Sequence, residues 1–467
     1  MQYETTRRRG PRRRVAFVAC LALVLAACSI LLAACGGGSS SSSSSSTTGG
    51  SETTAEGTET TAAGGGESSG STEPVGIAGL EGEVAEGGPD FMKGMKIASE
   101  EINKAGGING REIDLKIFKT GGTPQGAASA YQQAGAESSI IGAFLGATGS
   151  LAIREQSERV KLALIAASGN DKIDTPVTKY VFENSAGKEY ASSSLVYMNE
   201  HGPEYAKAFG REFNGTNLKG KKVAILHYET DFSQQIPEAI EEGCEIMGCE
   251  VVDVEEAGSA DSVEAVTPQL TKMKESGAEI YYIESLNPNA LAAAKQLGMD
   301  SKPVIAEQWL TVPALAEAAG KNAEGVVFGG HKCRAPEIIA SSDPAKKWCE
   351  EYVAKFEKYF PGEPFALFSI YGYDAVNTYA WAVEHLEEEG KEVTRDSIVE
   401  AMQEMDGSLR TSHGLVETSP ESHRLTGSWE EAYVDMTIKV NSKGEPEYVL
   451  APGADPAGAK ATGPHAE

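Results

Sequence analysis

The chain has 467 residues, with 41 Lys plus Arg against 68 Asp plus Glu, for a formal net charge of −27. Such acidity argues against nucleic acid and against anionic lipid headgroups as partners, since like charges repel. Composition also shows that the whole length is not one fold, because it changes twice before residue 74.

Residues 1–34 hold six Arg, one Glu and a long apolar run. "RRRGPRRR" at 7–14 supplies a positive region, and "VAFVACLALVLAACSILLAAC" at 15–35 supplies an apolar core with a small-residue end. That is the pattern of a secretory signal. The same 21-residue run is also long enough to span a bilayer, so an uncleaved anchor is the rival reading. Both readings place the rest of the chain outside the cytoplasm, close to a membrane. Loss of residues 1–34 removes a net +5 and leaves −32. Residues 36–73 contain only Gly, Ser, Thr, Ala and Glu. They are expected to be a disordered tether with an r.m.s. reach of roughly 35 Å.

From residue 74 the composition is that of a folded protein. "PVGIAGL" (74–80) reads as a strand, and Phe91, Met95, Ala98 and Ile102 follow at helical spacing. "AGG" (105–107) ends that helix, "NG" (109–110) turns the chain, and "EIDLKIF" (112–118) alternates as a strand. The unit repeats. A helix at 124–137 leads to a strand at 140–146, and another helical run leads to 162–168. A second series starts with a strand at 221–228, continues with helix 232–248 and strand 249–255, then helix 263–277 and strand 278–285. It closes with helix 288–299 and strand 302–309. Helices at 345–360, 368–390 and 393–407 and strand-like "GLVETS", "AYVDMTIKV" and "PEYVLAP" complete the chain. Alternation of helices with continuously apolar strands predicts an α/β fold with parallel sheets covered on both faces. Two series predict two doubly wound, Rossmann-like lobes, with a ligand cleft between them at the carboxyl ends of the strands.

No HExxH or P-loop occurs, and neither GxSxG nor GxGxxG follows a strand (the one GxSxG string, at 66–70, lies in the tether), so neither an enzyme nor a cofactor is expected. "HKC" at 331–333 and the pair His413 and His423 match no metal-ligand spacing, and no metal is expected. Beyond the apolar leader, Cys244, Cys249, Cys333 and Cys349 suggest two disulfides. Of three pairings, the local one, Cys244 with Cys249 and Cys333 with Cys349, closes the shortest loops.

Two resemblances add to this reading. "LLAAC" at 31–35 resembles a bacterial lipobox, which implies cleavage after Ala34 and lipidation of Cys35. A second match ending at Cys28 would leave apolar "SILLAA" outside the cleavage point. "VGIAGLEGEVAEGGPDFMKGMKIASEEINKAGGINGREIDL", "KGKKVAILHYETDFSQQIPEAI", "AEIYYIESLNPNALAAAKQLGM" and "IYGYDAVNTYAWAVE" are similar to landmarks of the type I periplasmic binding proteins. Within that family they most resemble the branched-chain amino-acid (Leu/Ile/Val) branch, in order across about residues 74–450.

The resemblance implies two lobes joined by a three-segment hinge, closing on a small solute such as an amino acid and presenting it to an ABC permease. It implies a monomer with lobe 1 at 74–187 plus 331–411, lobe 2 at 188–330 plus 412–450, and a disordered tail at 451–467. A tethered sensor that signals by the same closure is the first alternative, and an enzyme on the same scaffold the second. The implied binding loops are Gly146, Ala147 and Thr148, and Ala167, Ser168 and Gly169, which would hold a ligand carboxylate. Glu307 would receive the ligand ammonium, while Phe232 and Leu286 stand where members often carry Tyr. Gly87 lacks the aromatic that several members have in the first loop. Trp309 reads as core or rim packing, with a place in the pocket wall as the alternative, and Tyr371 and Tyr373 as packing of their helix onto lobe 1.

Overall fold

A computed structural model describes residues 73–83, 87–146 and 148–463. The signal, tether and Cys35 expectations fall on residues outside these. The first sheet holds β1 (Val75–Glu81), β2 (Ile113–Lys119), β3 (Ile140–Gly146), β4 (Ala163–Ala167) and β5 (Val181–Glu183). Its order is β2-β1-β3-β4-β5 and every pairing is parallel. β1 and β3 are buried along almost their whole length, which is why they read as continuous apolar runs rather than alternating ones.

The second sheet repeats the arrangement. β6 (Lys222–Tyr228), β7 (Glu250–Ala257), β8 (Ile280–Ile283), β9 (Val304–Ile305) and β10 (Val327–His331) take the order β7-β6-β8-β9-β10, again parallel. A hairpin of β11 (Asp406–Thr411) and β12 (Gly414–Glu417) follows. The chain then returns as β13 (Tyr433–Val440) and β14 (Pro446–Leu450), which extend the second sheet antiparallel beside β10. Both parallel orders are doubly wound, with the strand order reversing between the first and third strands of each series.

The opening turn behaves as its glycines dictate. Helix Gly88–Lys104 ends where the Gly107 amide reaches back to the Ile102 carbonyl at 2.9 Å. Gly107 has φ 76° and Gly110 φ 88°, in the region where a side chain would be strained. The same helix lies against helix Ser369–Glu388 at a spacing only glycine allows. A Cβ on Gly94 would sit 1.7 Å from the Ser369 carbonyl oxygen, and one on Gly372 would sit 2.0 Å from that of Phe91. Met95, Ile370, Val376 and Tyr379 are sealed into this contact. Each such apolar side chain contributes on the order of 1.5–3 kcal/mol.

The chain crosses between lobes after β5, after β10, and between Leu425 and Trp429, where burial passes from the first core to the second. The third crossing lies later than the expected boundary at 411. His423 stacks on Phe182 at 4.2 Å, Leu425 N donates to the Glu183 carbonyl, and Val416 enters the first core. The end of the chain also differs from expectation. Residues 451–463 pack onto the second lobe instead of trailing free: Ala451 and Ala459 are buried, and the Ala459 amide bonds the Tyr433 carbonyl. Lys332 anchors this segment through the carbonyl of Ala457 while pairing with Asp343 at 2.6 Å. Two elements are shorter than the apolar pattern predicts. The third C-terminal helix stops at Met402, and strand 302–309 reduces to β9 followed by a single turn at Gln308–Thr311. Cys244 is bonded to Cys249 and Cys333 to Cys349.

Candidate functional site

At the carboxyl ends of β3, β4, β6, β8 and β9, the loops of the two lobes face each other across a cavity of about 660 Å³, mouth included. This is where doubly wound sheets place ligands. Lobe 1 contributes Thr148 after β3 and Ala167, Ser168 and Gly169 at the end of β4. Lobe 2 contributes Thr230, Asp231 and Phe232 after β6, Leu286 after β8, and Gln308 and Trp309 after β9.

The walls are aromatic, and their rings form a closed circuit. Phe91 stacks on Phe368 at 5.4 Å, Phe368 meets Trp309 edge-on at 5.6 Å, and Trp309 meets Phe232 at 6.2 Å. Phe232 meets Tyr190 at 5.7 Å, the Tyr190 and Tyr371 hydroxyls are 2.9 Å apart, and Tyr371 returns to Phe91 at 6.0 Å. Tyr190 is tied further to Tyr433 at 2.7 Å and to Ser185 at 3.0 Å. Burial raises the pKa of each of these three tyrosines, so they remain neutral donors at physiological pH.

The expected residues are brought together unevenly. Thr148, Ala167, Ser168, Gly169, Phe232 and Leu286 all line the cavity. Gly146 does not, because the Phe91 ring lies over it and would be 2.4 Å from any Cβ there. Ala147 lies outside the described residues. The aromatic missing at Gly87 is replaced from another element: a Cβ on Gly87 would meet the Phe368 ring at 2.4 Å.

Glu307 is the main departure. It is 0 % exposed and sits behind the wall, outside the cavity lining. Its carboxylate accepts from the Ser285 amide at 3.0 Å, the Ser285 hydroxyl at 2.8 Å and the Tyr282 hydroxyl at 3.1 Å. Glu284 is buried beside it, accepting from the Tyr228 amide at 2.9 Å and the Ser233 hydroxyl at 2.6 Å. Burial raises both pKa values, and mutual repulsion raises Glu284 further. The pair braces the loops after β6 and β8. Among the described residues, the carboxylate that does line the cavity is Asp231.

The loop after β4 is likewise engaged by the chain itself. Glu183 at the end of β5 accepts from the Ser168 amide at 3.0 Å, the Ser168 hydroxyl at 2.9 Å and the Gly169 amide at 3.4 Å. Burial pushes its pKa up to about 8, against the opposing pull of Arg424. Arg424 is ion-paired with Asp171 and Asp174, each at 3.0 Å.

Hydrogen bonds also cross the cleft. Asp231 Oδ2 accepts from the Gly149 amide at 3.3 Å, and Asn170 donates to the Asp231 carbonyl. Gln235 accepts from the Asp171 amide at 3.1 Å and donates to the Gly169 carbonyl. The lobes are therefore closed on each other. Sequence reasoning missed Phe91, Phe368 and Tyr371 as lining residues because their helices mark them only as packing, and missed Tyr190 and Gln308 because no motif singles them out. Trp309, read as packing, lines the cavity as well. His331, Cys333 and Cys349 lie together, but both sulfurs are in the disulfide, so this group offers no thiolate for a metal.

A family model described as Periplasmic binding protein matches residues 76–439. The Leu/Ile/Val-binding protein homolog 3 of Brucella melitensis is 25 % identical over 305 residues, covering 62 % of this chain and 73 % of that protein. The leucine-, isoleucine-, valine-, threonine- and alanine-binding protein of Pseudomonas aeruginosa is 21 % identical over 333 residues, covering 70 % and 82 %. In structure, the branched-chain amino acid transporter substrate binding protein of Streptococcus pneumoniae, solved with isoleucine, aligns with a TM-score of 0.63 at 17 % identity. That alignment covers 83 % of this chain and 100 % of the other. The repeated doubly wound lobes, the cleft between them and the match over residues 76–439 agree, and the chain belongs to the periplasmic binding protein family.

Proposed function

We propose that this chain is the lipid-anchored solute receptor of an ABC importer, holding an amino acid or a related small solute between its lobes outside the cytoplasm. The observation that carries the reading is the aromatic cavity built by both lobes at once. A solute there touches both lobes only when they are closed, and that differential contact is what drives a population toward the closed form. The named binding specificities of the curated relatives point to the amino-acid class. Cys35 is the proposed anchor, and an ABC permease the proposed partner.

Isothermal titration against amino acids, their amides and the matching amines tests the reading. One ligand per chain with micromolar or tighter affinity is expected, and silence across the panel would remove the receptor role. Anchoring is tested separately: Cys35→Ala should release the protein from the membrane fraction, and full retention would argue against lipidation.

A further inference from the structure

A solute carboxylate entering this cleft would look for backbone amides or a cationic side chain. The two amides that end β4, those of Ser168 and Gly169, already bind the Glu183 carboxyl group, which also takes the Ser168 hydroxyl. Among the described residues lining the cavity there is no Lys, Arg or His. Arg424, the buried cation behind this loop, is committed to Asp171 and Asp174. Among the described lining residues a carboxylate would therefore lose its hydration without gaining a cationic partner or the amides of this turn.

A cation finds the opposite situation. The rings of Phe91, Phe368, Trp309, Phe232, Tyr190 and Tyr371 enclose the cavity, and aromatic faces carry negative electrostatic potential. Among the described residues, Asp231 adds the one side-chain carboxylate of the lining, its Oδ2 also accepting from the Gly149 amide. Gln308, 8 % exposed and also part of the lining, has an Oε1 with no hydrogen-bond partner and adds a buried acceptor. The two amides that end β4 are occupied, whereas the features suited to a cation are present.

We propose that Glu183 acts as an internal occupant of the anion-binding turn, and that the solute admitted is an organic cation without a carboxylate, a primary or quaternary amine with an apolar body. This rests on the receptor reading above and narrows it. Glu183 is on this view a positioning residue that sets specificity, and Asp231 together with the aromatic circuit makes the contacts.

The test compares matched pairs on the purified full chain by isothermal titration: L-leucine with 3-methylbutylamine, L-tyrosine with tyramine, and glycine betaine with choline. At least one amine is expected to bind tenfold or more tightly than its carboxylate-bearing partner. If the amino acids bind as tightly as the amines or more so, the inference is overturned while the receptor reading stands. If neither class binds, both fail. Asp231→Asn should weaken the preferred amine at least tenfold, and unchanged affinity would overturn the role given to Asp231. The variant replaces a partly exposed loop side chain, and its folding is checked by its unfolding midpoint.

Discussion

Gln235 and Asp171 belong to different lobes, yet the Gln235 carbonyl oxygen accepts the Asp171 amide hydrogen at 3.1 Å while the same amide group donates to Gly169. One side chain of the second lobe thus grips the loop that follows β4. Hydrogen bonds of this kind contribute about 0.5–1.5 kcal/mol each. Gln235→Ala should shift the ligand-free protein toward an open form by about 1–3 kcal/mol. Small-angle scattering without ligand checks this: the variant should show a larger radius of gyration, and superimposable curves would contradict the grip.

Glu183 carries a pH signature. Its folded pKa of about 8 lies above the ~4.3 of an exposed glutamate, so the folded state holds the proton more tightly than the unfolded one. Its contribution to stability is therefore complete below pH ~4.3 and is lost as pH rises toward 8, at up to about 1.4 kcal/mol per unit. Arg424, whose charge opposes the rise, is itself ion-paired with Asp171 and Asp174. Glu183→Gln retains an acceptor for the Ser168 amide without the titration. Unfolding midpoints between pH 5 and 8 should fall less steeply for the variant, and parallel profiles would show that Glu183 does not titrate there.

The contact of helices Gly88–Lys104 and Ser369–Glu388 depends on two missing methyl groups. Gly94→Ala places a carbon against a backbone carbonyl, which cannot swing aside as a side-chain end can. The expected loss is on the order of 1–3 kcal/mol or more, since overpacking a fitted core forces backbone shifts. Urea unfolding measures it. Gly106→Ala, where no atom lies within 4 Å, should lose only the strain of its positive φ of 110°.

The Cys333–Cys349 bond ties the crossing after β10 to helix Pro344–Tyr359, and both residues are fully buried. Its removal should cost about 2–4 kcal/mol, chiefly by freeing the unfolded chain. Cys333→Ser with Cys349→Ser, followed by thermal unfolding, checks the loss. Cys244–Cys249 closes a far shorter loop, so its removal should cost less.

Much of the architecture is legible in one dimension. Residue spacing of Phe91, Met95, Ala98 and Ile102 fixes a helix, "AGGING" fixes its stop and turn, and the apolar runs at β3 and β6 fix buried parallel strands. These are local consequences of helical periodicity, glycine freedom and the burial of parallel sheets. The tail at 451–463 was not legible, because its Gly, Pro and Ala content matches a loose end and its order comes from distant partners such as Tyr433 and Lys332.

The site divides along the same line. Sequence by itself determined the repeated strand–helix units, their doubly wound arrangement and the loops, after β3, β4, β6, β8 and β9, that would face a cleft. Tertiary structure alone decided which side chains those loops present. Glu307 turns inward to brace Ser285, Asp231 takes the open position, and Glu183 fills the turn at Ser168 from a neighbouring strand. Phe368 covers Gly87 from the start of helix Ser369–Glu388, nearly three hundred positions away. The reason is physical. Periodicity records which face of an element is apolar, whereas the partner that satisfies a buried carboxylate or covers a glycine is chosen by chain crossings that local sequence does not encode.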